Sequence, residues 1–171
     1  MHPNQTFRQT DPIDALQFAS DTGFGVLAVN GTESPLLAHV PFYVEGDSAY
    51  LHLVRSNPIA RICKTRLDAK LIINGPHGYI SPDWYGVEDQ VPTWNYIAVH
   101  LIGALEPLPA EELRTLIDRL SEKFEEQLAP KPVWKSAKVD PDAMAKMMRV
   151  IQPFRFDIQD VDSTFKLNQN K

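Results

Sequence analysis

The sequence predicts a mainly β, α+β fold, an antiparallel barrel of six to seven strands with flanking helices. Three observations carry this. The turn signals Asn30-Gly31-Thr32-Glu33 and Glu45-Gly46-Asp47 separate short apolar runs, and links this short require antiparallel pairing. Strands and helices do not alternate regularly, which excludes βαβ layering. That many strands must then close on themselves or be covered, because an open sheet edge invites pairing with other chains.

Asp11-Pro12 opens the first helix, with Asp11 as N-cap, Pro12 as first helical residue, Ile13 and Leu16 inside, and Gly23 as terminator. Strands are expected at Phe24–Val29, Leu36–Val44 and Ala49–Val54. Arg55-Ser56-Asn57-Pro58 then changes the period, with Ser56 or Asn57 capping a short helix from Pro58 to about Arg66. A nearly all-apolar strand, Ala69–Asn74, follows and is expected to be central. After a long aromatic loop, the next strand runs Tyr96–Leu105. Leu113, Leu116, Ile117, Leu120, Phe124 and Leu128 recur at three- and four-residue spacings, predicting an amphipathic helix from Ala110 to about Leu128. A connector of Pro and Lys, Ala129–Val139, leads to a short helix capped by Asp140. Strand Phe154–Val161 and an amide-rich tail close the chain.

The sequence is organised around Asn74 to Gly103, which concentrates prolines, glycines, tryptophans and tyrosines in one stretch. Loops this long are functional or disordered, and the aromatic area argues for order. Two readings stand: one wall of a planar-ligand site, or a loop folded back over its own core.

The 171 residues suit one domain, 1–171, with a helical excursion at about 109–150. No apolar run reaches membrane-spanning length, and the polar N-terminus lacks a signal-peptide core, so the expectation is a cytoplasmic protein without a membrane partner. Cys63 is the single cysteine, which excludes an internal disulfide. A net charge of −5 gives no overall footprint for nucleic acid. A local basic stretch (Arg55, Arg61, Lys64, Arg66 and Lys70 against Asp68) keeps a DNA contact in view.

The interior histidines His39, His52, His77 and His100 lack zinc-ligand spacing, so no metal site is expected. Haem on a single histidine such as His39 or His52 ranks low beside a packed role. Motifs of hydrolases, P-loop NTPases and Rossmann enzymes are missing, and no residue is a convincing acid or base, so no catalytic residue is assigned. What remains is a ligand pattern. A strand entering a helix beside Arg55 offers free backbone N–H groups and a guanidinium to a phosphate. Apolar strands and the aromatic loop would flank a ring, with Asn74 and Asn95 for its polar edge. The residues reach a phosphorylated planar ligand and do not distinguish flavin mononucleotide (FMN) from other nucleotides.

Several blocks resemble the PaiB-like FMN-binding negative transcriptional regulators: Phe7-Arg8 with Asp11, Ala38–Phe42, Arg55–Pro58, Gly75–Tyr85, Val91–Tyr96 and Lys166–Asn170. Asn168 stands where serine is commoner in the closing block. The resemblance spans nearly the whole chain in the same order. It implies a split β-barrel related to pyridoxamine-phosphate-oxidase-like proteins, a homodimer with FMN at the subunit interface. By that resemblance Arg55, Ser56 and Asn57 hold the flavin phosphate. Pro76, His77, Ser81, Trp84, Thr93, Trp94 and Asn95 approach the flavin, from the partner subunit on one reading, while Lys166, Gln169 and Asn170 close the pocket. His39, His52 and Asn74 complete the candidate set. Alternatives are a DNA-binding repressor with little flavin chemistry and an FMN-dependent oxidoreductase acting on a small molecule.

Overall fold

The computed structural model describes residues 1–86 and 88–169. Seven strands form one antiparallel sheet: β1 (Phe24–Val29), β2 (Leu36–Pro41), β3 (Tyr43–Glu45), β4 (Ser48–Val54), β5 (Leu67–Ile80), β6 (Thr93–Pro107) and β7 (Ile151–Lys166). The order across the sheet is β2-β1-β5-β6-β7-β4-β3. Its two outermost strands, β2 and β3, are separated in the chain by Phe42 alone. Adjacent Cα atoms lie about 3.8 Å apart, so the sheet has to curl until its edges meet at this residue. Phe42 is fully buried, and its N–H donates to the Gly23 carbonyl at 2.8 Å. The predicted single strand Leu36–Val44 is therefore two strands that belong to opposite edges.

Alternating inward residues fill the curled sheet: Leu27, Val40, Leu51, Leu71, Ile73, Leu101, Phe154 and Phe156 are all buried. Helix α1 (Pro12–Thr22) covers one end of this core with Ala15 and Ala19, and Phe18 meets Phe165 edge to face at 5.7 Å. Asp11 caps it by accepting from the Ile13 N–H at 2.8 Å, and Gly23 ends it at φ +60°. Helix α3 (Leu113–Glu126) buries Leu113, Leu116 and Leu120, and its Arg119 pairs with Glu45 on β3. The short helix α4 (Pro141–Arg149) is capped by Asp140 and buries Met144.

Three expectations about extent are corrected. Helix α2 (Pro58–Ile62) stops before Arg66, because Cys63 leaves the helical region at ψ 79° and Leu67 joins the sheet opposite Leu105. The stretch between Asn74 and Tyr96 is sheet at both ends and not loop throughout: β5 continues to Ile80 and β6 begins at Thr93. The start of the tail is also strand, with β7 reaching Lys166 opposite Tyr96.

Two irregularities shape the β5–β6 pair and its neighbour. Between Asn74↔Ala98 and His77↔Tyr96, two residues, Gly75 and Pro76, oppose Ile97 alone. Such a bulge bends the strand and places Pro76 where no ladder donor is needed. Gly75 is required there, since a Cβ would lie 2.6 Å from the Phe18 ring and 2.8 Å from the Ile97 Cβ. At Gly103, next to a second bulge, a Cβ would lie 1.9 Å from the Asp157 carbonyl oxygen, where only backbone could yield.

Gly103→Ala is expected to lower the unfolding free energy by about 2–3 kcal/mol through overpacking. Gly46→Ala, at φ +59° but with nothing within 4 Å, should cost only about 1 kcal/mol. Urea denaturation of the two variants checks this ordering.

Candidate functional site

The candidate residues fall into two groups separated along the sheet. The first is the corner between β4 and α2. The Arg55 N–H donates to the Val150 carbonyl at 2.9 Å and its Nε to the Arg149 carbonyl at 3.0 Å, so the end of α4 fixes the guanidinium while its Nη groups carry no protein partner among the described residues. Arg55 and Ser56 are exposed. Asn57 is the N-cap of α2, its Oδ1 accepting from the Ile59 N–H at 2.9 Å, which leaves its Nδ2 for other use. A helix of five residues has a small macrodipole, so any anion held here would depend chiefly on the guanidinium. His52 lies on the neighbouring part of β4 opposite Pro153, with a buried Nδ1 that has no partner.

The second group is the arm formed by β5 and β6 beyond the first bulge, where His77, Tyr79, Trp94 and Tyr96 share one face through the pairs His77↔Tyr96 and Tyr79↔Trp94. Trp94 sits 6.2 Å from the His77 ring and 6.0 Å from the Tyr79 ring, yet Trp94 and Tyr79 remain about half exposed. Lys166 anchors the arm: its Nζ donates to the Trp94 carbonyl at 2.8 Å and to the Thr93 hydroxyl, and lies 5.8 Å over the Phe7 ring. Gln169 turns back on its own segment, accepting from the Leu167 N–H at 2.8 Å and donating to the Phe165 carbonyl. Ser81 starts the turn Pro82–Trp84, where Trp84 is the most exposed tryptophan. Asn95 has a buried Oδ1 without a partner. Asn74 and Pro76 are exposed at the bulge, and Asn170 lies outside the described residues.

Between the groups runs the outer face of the sheet. His39, Val26, Ile72 and His100 form one registered row, and Leu37, Ala28, Lys70 and Ile102 the next. His39 stacks on Phe24 at 6.5 Å, and Phe24 and Leu37 expose half or more of their surface. This is an apolar surface across four adjacent strands, bordered by imidazoles.

The corner and the arm do not meet within one chain. Val54 pairs with Ile151 at one end of β7, and Lys166 is its other end. A strand of sixteen residues has a contour of up to about 50 Å, and the two groups border its opposite ends. The basic stretch after Arg55 is also partly committed, since Arg66 bonds Asp157 and lies 3.9 Å from Glu106. That guanidinium holds the Asp157 carboxyl below its ordinary range, with Arg155 contributing. Sequence reasoning missed Phe7 under Lys166, Phe24 beside His39 and the α4 carbonyls that hold Arg55. Each is a contact distant in sequence, with no local signal.

A curled antiparallel sheet closed at one residue, helices at its ends and an arm extending past it define the split-barrel class. Solved structures share the fold: a flavin-adenine-dinucleotide (FAD) and haem binding protein from Mycobacterium smegmatis (TM-score 0.68, 15% identity, 94% of this chain and 73% of that one). So does the flavocytochrome Anf3 from Azotobacter vinelandii (TM-score 0.62, 16% identity, 98% and 72%). Residues 1–160 match the family described as "Putative FMN-binding domain", and the chain belongs to that family. It is 30% identical over 175 residues to the protease synthase and sporulation protein PAI 2 of Bacillus subtilis, covering 100% of this chain and 83% of that protein. Among the described residues there is no cluster that could hold a metal ion, and no helix is long and apolar enough to cross a membrane.

Burial lowers the pKa of His52, and burial followed by Lys70 and the N-terminal amine lowers that of His100, against a smaller opposing pull from Asp162. The folded protein therefore binds fewer protons than the unfolded chain below the ordinary histidine value of about 6.5. The stability that these two imidazoles contribute is fully present above that pH and falls as pH drops through the window toward the lowered values. His52→Leu should flatten this decline in urea midpoints measured from pH 7.5 to 5.

Proposed function

We propose that the protein is a homodimeric, PaiB-type flavoprotein that holds FMN non-covalently at the subunit interface, in a regulatory or redox role, in the cytoplasm. The observation that carries this reading is the separation of the two groups. One chain offers a phosphate corner at one end of β7 and an aromatic arm at the other, and a second copy would lay its arm beside the first copy's corner. The outer sheet face supports such packing: a twofold interface is self-complementary, and Phe24, Leu37, Ile72 and Ile102 provide the apolar area that an obligate dimer covers.

On this reading Arg55 donates to the phosphate through its remaining N–H groups, and the exposed Ser56 hydroxyl lies beside it. Asn57 keeps the corner in shape through its cap. His77, Tyr79 and Trp94 contribute flat apolar surface toward the ring, and Lys166 fixes the strand that carries Trp94. His52 and Asn95 each bring a buried polar atom in need of a partner, which fits a ligand rich in donors and acceptors. The flavin, when bound, supplies reversible electron transfer, and the protein supplies binding and orientation. DNA binding draws less support, because Arg66 is engaged with acids and the net charge is −5.

Arg55→Ala should weaken FMN binding by about 1.5–3 kcal/mol, the worth of a hydrogen bond to a charged group, in a titration of bound flavin fluorescence. Unchanged affinity in the folded variant removes Arg55 from the site. The purified protein should elute as a dimer with one retained flavin per subunit, and Trp94→Ala should change either the flavin emission or the dimerisation. Wild-type behaviour in both reduces the arm to packing.

A further inference from the structure

The helical excursion between β6 and β7 begins and ends beside the corner that Arg55 occupies. It leaves the sheet at Leu108, whose N–H donates to the Pro153 carbonyl at 3.0 Å, and returns where Val150 meets Ile151, the partner of Val54. Its last helix, α4, buries Met144 alone and is capped by the exposed Asp140, whose Oδ1 accepts from the Asp142 and Ala143 N–H groups at 3.1 and 3.0 Å. At the other end, the last carbonyls of a helix have no partner within it. Arg55 takes two of them, the Val150 carbonyl with its backbone N–H and the Arg149 carbonyl with its Nε. This pairing decides which part of the guanidinium is presented. With Nε committed to α4, the Nη groups remain, and their shared edge offers two parallel N–H bonds to an anion. The helix end itself carries partial negative charge and repels a phosphate set directly against it. Arg55 thus joins the helix end and an anion through different N–H groups of one cation.

We propose that α4 is the positioning element of the phosphate corner: its seating aims Arg55, and phosphate binding in turn tightens that seating. This rests on the flavin site proposed above and adds what sets its affinity for the phosphate. A guanidinium already held in place loses less freedom on binding than one that has to be ordered by the ligand. Linkage makes the effect reciprocal, so whatever loosens α4 weakens the phosphate contact and whatever fills that contact orders α4. Asp140 is then a positioning residue, although the nine residues of α4 set it about 13 Å from Arg149.

The cap separates positioning from charge. Asp140→Ala removes both the cap and an acid, whereas Asp140→Asn removes the acid and keeps a capping side chain. Loss of an acid by itself favours an anion, so weakening seen with alanine alone reports the helix. Fluorescence titrations of the full-length chain, freed of retained flavin, compare FMN with riboflavin, which has the same ring and no phosphate. The wild type should prefer FMN, and Asp140→Ala should lower that preference at least about fivefold, the low end of coupling between linked sites. Asp140→Asn should keep it. Met144→Ala, which unseats the helix without changing charge, should act like Asp140→Ala. Hydrogen exchange read by mass spectrometry gives the reciprocal effect: FMN and not riboflavin should slow exchange over Pro141–Arg149, and Arg55→Ala should remove that slowing. Equal losses in the alanine and asparagine variants, or FMN binding that leaves α4 exchange unchanged, would overturn the proposal. A preference for FMN that depends on Arg55 but on neither Asp140 nor Met144 would overturn the role of α4 alone. A wild type that binds FMN and riboflavin equally would overturn the phosphate corner itself, and the role of α4 with it.

Discussion

The structure depends on closing the sheet at Phe42. A seven-stranded antiparallel sheet with β2 and β3 as its outer strands could lie open, but a single residue joins those strands. Chain connectivity thus imposes a curl that side-chain packing alone would only favour. The curl brings the inward faces of β1, β4, β5 and β7 around one core, and Phe42 itself fills part of it. The candidate residues lie away from that core, on the outer sheet face and at the ends of the longest strands.

The length of those strands is the second organising fact. Strands β5, β6 and β7 are more than twice as long as β1 and β2, so they extend past the closed part. The bulge at Gly75 and Pro76 lets β5 turn away there, and the tight contacts around Gly75 hold the turn against Phe18 and Ile97. One end of β7 borders the corner that Arg55 occupies, and the other carries Lys166 into the arm. On the proposed dimer, a site built from both ends is completed between molecules, and the apolar outer face and the two groups belong to one interface.

Much of this was legible in the sequence, for identifiable reasons. Local rules placed Asp11 and Asp140 as caps and offered Ser56 or Asn57 for α2; Asp11, Asn57 and Asp140 each accept a backbone hydrogen bond there. Period and turn residues placed β1 to the residue, and the missing βαβ alternation gave the antiparallel class. Extent was harder to read. The Asn74–Tyr96 stretch looked like loop because Gly75, Pro76 and Gly78 are poor strand residues, while its pairing comes from β6, distant along the chain. The break at Phe42 has no local signal either, since Pro41-Phe42-Tyr43 has the pattern of a continuing strand and only the identity of its partners divides it. The candidate residues were named largely through family resemblance, and their division into two ends of β7 is a property of register that no spacing in the sequence reveals.

The arm has a thermodynamic consequence. Past Tyr96 it loses its ladder with β7, and its two strands have each other, the Lys166 side chain and the turn, whereas the strands below it are buried on a shared core. A two-stranded ribbon is marginal on its own, so the order of this segment is set by what rests against it, and ordering costs conformational entropy. A molecule that settles against the arm would bear part of that ordering cost.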